Sequence, residues 1–195
     1  IIIRTKNEER WIGYSIQSVL KKFHKPEIII IDNNSTDETL EIVRIFAQDK
    51  LLGNTKNKRY TNIKIFKIKD YTPGKSLNLG VKKSTRKFVM IISAHCQLIN
   101  VNTKELIKNS DKYSCIFGNQ KPVFKGKEIE KRYLWEHFHN SKEVNMYSKS
   151  EKRYFMHNAL AFYKRQTLIK NKFNENLAGK EDRYWANDII RKKKR

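Results

Sequence analysis

The sequence contains few of the features that mark secreted or membrane-spanning proteins. Its two cysteines, Cys96 and Cys115, have no close-spaced partner of the kind that disulfide frameworks and metal sites need, so we expect buried thiols in a reducing compartment. No apolar run approaches the roughly 20 residues that span a bilayer, and the first residues are too short an apolar stretch for a signal peptide. These absences predict a soluble, cytoplasmic protein. Because residue 1 is Ile and falls inside a predicted strand, we expect that a few residues precede it.

Acidic residues are also scarce. The chain has 20 Asp and Glu against 42 Lys and Arg, which gives a formal charge of +22 and calls for an anionic partner or surroundings. Nucleic acid, an acidic membrane face and phosphorylated small molecules all qualify. The basic residues are scattered along the chain, apart from one run at residues 191–195, and they are not interleaved with aromatics in a concentrated patch. This distribution favours a solvated basic surface over a specific nucleic-acid face.

The chain shows no internal repeat, low-complexity linker or change of composition that would mark a domain boundary. With 195 residues, 38% of them hydrophobic, it can bury one sizeable core. We therefore predict one domain over residues 1–195, with a regular half over about 1–100 and a less regular half over about 101–195.

Apolar spacing predicts an α/β fold with a mainly parallel sheet flanked by helices. Predicted strands cover residues 1–3, 28–31, 63–68, 88–92, 114–117 and 159–163, and predicted helices cover 12–22, 35–47, 77–81, 103–109, 129–137 and a last stretch from 181. A polar linker is expected over 53–61 and a turn over 71–74. Strand and helix alternate regularly only in the first half.

The most informative stretch is the apolar strand that ends at Asp32 and opens onto a polar turn. Ligands of open α/β sheets bind outside the carboxyl ends of the strands, which places Asp32 where a small molecule is recognised. The alternative is a turn aspartate that caps the next helix. We expect Ser35 and Glu38 to form a capping box there, which would leave Asp32 free.

Three further polar clusters follow predicted strands and should meet at the same sheet edge. The run from Arg4 to Glu8 suits hydrogen bonding to a base or phosphate, although Thr5 or Asn7 could equally cap a helix. Lys75 follows a glycine turn, an arrangement that presents a cation to phosphate, but the spacing of a Walker motif is absent. The third cluster is the Ser-Ala-His run at 93–95.

Near the carboxyl end, Glu181 and Asp182 stand at the start of a predicted helix, just after Gly179 and Lys180. Adjacent carboxylates there complement the positive end of the helix dipole, which is one explanation. The other is a general base held in the mouth of the site. The residues alone leave both open.

These runs occur in the order seen in family-2 nucleotide-sugar glycosyltransferases of the GT-A fold, and the chain resembles the branch that builds bacterial surface polysaccharides, such as capsule or lipopolysaccharide. The resemblance implies that one carboxylate of the Glu181–Asp182 pair deprotonates the acceptor hydroxyl in a single inverting displacement. It implies nucleotide-sugar contacts at Thr5, Asn7, Glu8, Asp32, Asn34, Lys75, Asn78 and Ser93. Acceptor-side contacts are expected at His157, Asn158, Arg183 and Trp185.

The chain departs from the resembled family at residues 93–95, where a metal-binding Asp-X-Asp motif is common. His95 can ligate Mn²⁺, but Mg²⁺ would lose its usual oxygen ligands, so dependence on Mn or Mg is in doubt. The alternative for His95 is a structural histidine. We expect Lys75, Arg183 or the basic terminus to stabilise the leaving group instead. His137 and His139 are not expected to bind metal, because side chains two apart on a helix do not face each other.

The leading hypothesis is therefore an enzyme that transfers a sugar from a nucleotide-sugar donor to a glycan or lipid-linked acceptor. A catalytically silent nucleotide-sugar-binding or scaffold domain of the same fold is the alternative, which the retained Glu181–Asp182 pair argues against. A nucleic-acid-binding protein is a third possibility. The basic terminus suits peripheral contact with the anionic inner face of a membrane, where a lipid-linked acceptor would be presented.

Overall fold

The computed structural model describes residues 1–47, 62–129, 137–138 and 141–193. The predicted linker at 53–61, His139, most of the predicted helix at 129–137 and the last two residues of the basic run lie outside these ranges. None of the helices in the described ranges is long and apolar enough to cross a membrane.

The first half alternates strand and helix as its apolar spacing predicts. Its elements are β1 (Ile2–Thr5), α1 (Ile12–Lys22), β2 (Glu27–Asp32), α2 (Thr39–Ala47), β3 (Asn62–Lys67), α3 (Pro73–Lys83) and β4 (Phe88–Ser93). The second half is less regular. Its elements are α4 (Thr103–Asn109), β5 (Ile116–Phe117), β6 (Val123–Phe124), β7 (Lys127–Glu128), β8 (Tyr147–Ser148), β9 (Arg153–Tyr154), β10 (Leu160–Lys164), α5 (Arg165–Lys170) and α6 (Glu181–Lys193).

One six-stranded sheet organises the chain in the order β3-β2-β1-β4-β10-β5. The first four strands in this order pair in parallel, and β10 pairs antiparallel to both β4 and β5. This confirms the predicted mixed, mainly parallel sheet. Since β10 belongs to the second half of the chain, both predicted halves contribute to a single sheet.

Helices cover both faces of the sheet, which explains why its central strands are almost wholly apolar. In β2 all six residues are buried; Ile29 and Ile31 face one core, and Ile28 and Ile30 face the other. The first core contains Leu77 of α3 and residues of α5 and α6, and the second contains residues of α1 and α2. Alternate side chains of a strand point to opposite faces, so a run of isoleucines supplies both cores.

Two helix starts differ from the prediction. The turn expected at 71–74 is the first turn of α3, because the Thr72 hydroxyl caps the Lys75 amide and Pro73 takes a first-turn position that needs no N–H donor. The second helix begins at Thr39, whose amide donates to Asp37 at 3.0 Å. The predicted capping box of Ser35 and Glu38 is therefore wrong.

Candidate active site

The carboxyl ends of β1, β2 and β4 lie side by side, as the polar clusters predict. Thr5 is in register with Asp32 across β1 and β2, and Arg4 is in register with Ser93 across β1 and β4. The sheet edge therefore brings together the three polar clusters that follow these strands. The cluster around Lys75 begins α3, which follows β3 at the same edge.

The loops after β1 and β2 are joined by reciprocal hydrogen bonds. The Asn7 amide donates to the Ser35 hydroxyl at 3.0 Å, and the Asn7 side-chain oxygen accepts from the Thr36 amide at 2.8 Å. The Glu8 amide donates to the Thr39 hydroxyl at 2.7 Å. Asn7 and Asn34 both have φ of 53°, a left-handed conformation that asparagine tolerates better than most residues. These bonds hold the two loops in one arrangement.

Asp32 is fully buried beneath these loops. One carboxylate oxygen accepts from the Ser35 hydroxyl at 2.6 Å, and both accept from the Ser35 amide at 3.2 and 3.3 Å. The expectation that a capping box leaves Asp32 free is therefore wrong, because the Ser35 hydroxyl donates its hydrogen bond to this carboxylate. The contact of Asp32 with a base stays a prediction, and the half-buried Asn33 and exposed Asn34 beside it are more accessible.

His95 lies beside a carboxylate. Its Nδ1 is 3.2 Å from Oε1 of Glu8. Burial, helped by the negative charge of Glu8, raises the pKa of the neighbouring Cys96 thiol to about 11, so this thiol stays protonated near neutral pH. In the described parts of the chain, no three His, Cys, Asp or Glu side chains converge as a metal site would require. Glu8 and His95 supply one carboxylate and one imidazole, which is not a complete protein site.

Glu181 and Asp182 are both buried at the start of α6. Oε1 of Glu181 forms an ion pair with Nη1 of Arg4 at 3.1 Å. The two oxygens of Asp182 accept separate backbone amides, from Asn158 at 3.0 Å and from Arg183 at 2.8 Å. Burial raises the pKa of Asp182, and these amides together with the Arg183 and Arg4 charges offset only part of that rise. The result is a fixed carboxylate that is more basic than an ordinary aspartate.

His157 is a neutral histidine near this pair. Its Nδ1 lies 3.1 Å from the Ala159 amide, which can only donate, and 3.0 Å from the side-chain nitrogen of Gln120. Since Nδ1 accepts, the proton of the neutral ring is on Nε2. Burial, reinforced by the Arg183 charge, lowers the pKa of His157 to about 4 despite the opposing charge of Glu181. His157 can therefore donate a hydrogen bond but stays uncharged at neutral pH.

A tyrosine in the core orients the adjacent asparagine. The Tyr163 hydroxyl donates to Oδ1 of Asn158 at 2.7 Å, and burial raises the pKa of Tyr163 well above its ordinary value. The Nδ2 of Asn158 is buried and has no hydrogen-bond partner among the described residues. Tyr163 fixes Oδ1 of Asn158, and Asp182 fixes its backbone N–H. The side-chain Nδ2 is therefore held in one orientation, with its donor capacity unused.

The family model for glycosyl transferase family 2 matches residues 1–172 of this chain. The chain belongs to this family. Among curated relatives, it is 25% identical over 194 residues to the GalNAc(5)-diNAcBac-PP-undecaprenol β-1,3-glucosyltransferase of Campylobacter jejuni, a match that covers 96% of this chain and 58% of that protein. It is 29% identical over 99 residues to the poly(ribitol-phosphate) β-N-acetylglucosaminyltransferase TarS of Staphylococcus aureus, covering 48% of this chain and 15% of TarS.

Solved structures show the same fold. TarS residues 1–349 in complex with UDP-GlcNAc match with a TM-score of 0.67 and 21% identity, over 95% of this chain and 51% of that one. The mannosyltransferase PcManGT of Pyrobaculum calidifontis, in complex with GDP-Man and Mn²⁺, matches with a TM-score of 0.63 and 18% identity, over 96% and 50%. These matches confirm the predicted GT-A fold. The chain spans about half the length of these structures and 58% or less of the two curated relatives.

Several predicted site residues of this family-2 chain have structural roles. Trp185 is buried, packs against Tyr163 and Phe173, and donates its indole N–H to the Asn171 carbonyl, and its acceptor contact stays a prediction. Arg183 is also buried, with Nε 3.2 Å from Oε1 of Glu151. Arg183 is therefore tied to a carboxylate rather than free to reach a leaving group.

The cluster that includes Lys75 is held against the segment before α6. Asn78 donates from its amide nitrogen to the Phe173 carbonyl at 2.9 Å and to Glu175 at 2.8 Å, and its oxygen accepts from the Phe173 amide at 3.0 Å. A Cβ at Gly74 would overlap the carbonyl oxygen of Asn174, which explains the glycine. Asn78 is thus occupied by structural bonds, and its sugar contact and that of Lys75 stay predictions.

Three residues that shape the site were not predicted from the sequence, and for Arg4 the ion pair was not predicted. Arg4 and Glu151 are ion-pair partners of Glu181 and Arg183, while Gln120 and Tyr163 orient His157 and Asn158. For Arg4, a charged residue near the end of an apolar strand was a usable signal. Nothing in the local sequence distinguishes the other three.

Proposed function

We propose that this chain catalyses inverting transfer of a sugar from a nucleotide-sugar donor to a hydroxyl of a glycan or lipid-linked acceptor in surface polysaccharide synthesis. The observation that carries the proposal is the Glu181–Asp182 pair at the carboxyl edge of the sheet. A general base must be ionised yet basic enough to take a proton, and burial raises the pKa of Asp182 while two backbone amides hold it in place.

In the proposed reaction, Asp182 accepts the proton of the acceptor hydroxyl as that oxygen attacks the anomeric carbon. A carbon–oxygen bond forms, the bond from the anomeric carbon to the donor phosphate breaks, and the nucleotide leaves with the electron pair. Arg4 neutralises and orients Glu181, whose carboxylate lies in the same cluster. His157 offers a neutral N–H donor to sugar or acceptor oxygens.

The donor is proposed to lie across the loops after β1 and β2, with Thr5, Asn7, Glu8 and Asn34 at the nucleotide and Lys75 near the phosphates. Two observations support this placement: the loops are held in one arrangement by the Asn7–Ser35 and Asn7–Thr36 bonds, and the TarS and PcManGT structures of the same fold are complexes with UDP-GlcNAc and GDP-Man. The two relatives named above act on a diphosphate-linked lipid and a poly(ribitol-phosphate). We propose an acceptor of that kind.

A family metal does not fit the described side chains as a complete protein site, since Glu8 and His95 form only a pair. We therefore propose that Lys75 carries part of the stabilisation of the departing phosphate. Approach to an anionic membrane face, which the excess of basic residues suits, is part of the same proposal.

Thermal shift against UDP, GDP, dTDP, CDP and CMP, each with and without Mn²⁺, tests donor binding, because a ligand of the native state raises the unfolding temperature. We expect stabilisation by one nucleotide and release of that nucleotide from its sugar donor. Stabilisation without turnover on any supplied acceptor would favour the silent binding domain. No shift with any nucleotide, together with a shift on adding oligonucleotide, would contradict the proposal.

A further inference from the structure

A cleft separate from the candidate active site lies between α6 and the turn that joins β8 to β9. It has a volume of about 240 Å³ and is lined by Lys152, Arg153, Tyr184, Asn187 and Arg191. Three of these five residues are cationic and none is acidic. The three contributed by α6 are spaced three and four apart, so they share one face of that helix. The cleft is therefore a localised concentration of positive charge.

The turn that carries this cleft is clamped to the start of α6. Glu151 pairs with Arg183 at 3.2 Å, with Lys180 at 3.6 Å and with Arg153 at 3.9 Å. Glu151, which precedes Lys152, therefore lies against Lys180 and Arg183, the residues on either side of the Glu181–Asp182 pair. Since Tyr184 follows Asp182 by two positions, the cleft begins within one helical turn of the proposed base.

The cations of the cleft are only partly used by the protein. The Arg153 guanidinium stacks on the Tyr184 ring at 4.5 Å, its Nε donates to the Glu151 carbonyl at 3.0 Å, and its Nη1 is buried without a hydrogen-bond partner in the described ranges. In those ranges Lys152 and Arg191 form no ion pair. Arg191 also complements the negative end of α6, but that explains neither Lys152 nor Arg153.

We propose that this cleft binds a phosphate or diphosphate group. The stacked guanidinium of Arg153 presents paired N–H donors that match phosphate oxygens. Lys152 and Arg191 add positive charge, and neither has to break an existing ion pair within the described ranges to do so. The volume is below the roughly 300–1,000 Å³ of sites that enclose drug-sized ligands, so it suits a small anionic group rather than a whole nucleotide sugar. The inference rests on the proposed function in one respect, since we take the bound phosphate to be part of the proposed sugar acceptor.

Isothermal titration with sodium pyrophosphate tests the cleft directly. The double variant K152Q/R191Q removes two charges from the cleft, whereas K149Q/K192Q removes two exposed charges from the same turn and the same helix without touching its lining. We expect pyrophosphate affinity to fall at least about tenfold in the first variant and less than about twofold in the second. Equal losses in both variants, or no pyrophosphate binding by the wild-type chain, would overturn the proposal.

Competition against pyrophosphate assigns the source of the phosphate. A short isoprenyl diphosphate that competes where glycerol phosphate does not indicates a lipid-linked diphosphate, and the reverse order indicates a phosphodiester polymer. Competition by neither contradicts an acceptor phosphate in this cleft.

Nucleotide-induced thermal shift is measured on the same variants, because the donor site is common to all of them. If pyrophosphate binding is lost in K152Q/R191Q but no nucleotide stabilises any variant, the proposed transfer fails while the cleft stands.

Discussion

The two edges of the central sheet shift the pKa values of buried carboxylates in opposite directions. At the amino edge, Glu27 at the start of β2 accepts from the Lys64 ammonium at 2.9 Å and from the Thr85 amide and hydroxyl at 2.9 and 3.0 Å. Burial alone would raise its pKa, but these bonds outweigh burial and lower it. At the carboxyl edge, burial prevails and raises the pKa of Asp182.

Unpaired polar atoms follow the same division. Among the described residues, buried side-chain atoms without a hydrogen-bond partner include Oγ1 of Thr5 and Nδ2 of Asn158, both at the carboxyl edge, and none belongs to the Glu27 cluster. A folded protein normally satisfies nearly all buried polar groups, because each unpaired one costs about 1–3 kcal/mol. The amino edge satisfies its buried polar groups, while the carboxyl edge leaves some of them unpaired, which is consistent with the ligand site proposed there.

Replacing the proposed base should produce the largest effect. We expect Asp182→Asn to lower the rate of nucleotide release from the donor by about 10³-fold, within the usual range for loss of a general base, because the amide cannot take the acceptor proton. Nucleotide-induced thermal shift should be retained. In the wild-type enzyme, activity should rise with pH through a pKa above the ordinary 3.8 of aspartate, since only the ionised form acts as base. Retention of wild-type turnover in the variant would remove Asp182 from this role.

The matched change at the other edge should alter stability rather than catalysis. Glu27→Gln should lower the free energy of unfolding by about 2 kcal/mol near neutral pH, because a charged acceptor of three donors is lost. Since folding lowers the pKa of Glu27, its contribution is complete above the ordinary value of 4.5 and disappears as the pH falls through the folded-state pKa. Urea unfolding at several pH values measures this. Activity per folded molecule should be unchanged, and a large loss of activity would mean that the amino edge also contributes to catalysis.

His157 should make the carboxyl edge sensitive to acid. Its pKa is lowered from 6.5 to about 4, so between these values the unfolded chain binds more protons and stability falls as the pH falls, by up to roughly 2–3 kcal/mol. Urea unfolding of His157→Gln should show a shallower loss of stability over that interval. The exposed His24 provides the control, and His24→Gln should follow the wild type. Parallel curves for wild type and His157→Gln would contradict this prediction.

The smallest expected effect concerns the Arg4–Glu181 pair. Arg4→Lys keeps the charge but loses the planar guanidinium, so we expect about a tenfold fall in kcat with little change in nucleotide affinity. Lys6→Gln, which removes an exposed charge from the adjacent loop, is the control. A fall in Lys6→Gln without a fall in Arg4→Lys would mean that net charge, rather than the geometry of the pair, matters at this edge.

The regular half of the fold could be predicted because its signal is local. Isoleucine runs such as 28–31 are buried on both faces, and polar residues such as Asp32 directly follow them, so the strands and the edge that collects the polar clusters were recognisable. Helix starts were less predictable. Ser35 resembles a cap in sequence, but the buried Asp32 carboxylate competes for its hydroxyl and leaves Asp37 to bond the start of α2.

The order of residues along the chain is enough to predict the alternating α/β pattern, the sheet edge that carries the polar clusters and the carboxylate pair that begins α6. Contacts between distant segments settle which of those groups are free and which are paired: Asn78 and Trp185 bond to the segment around Phe173, while Arg4 pairs with Glu181. The difference lies in the range of the interactions along the chain. Burial periodicity acts within a few residues, whereas hydrogen-bond partners and the desolvation that raises the pKa of Asp182 come from segments far apart in the chain.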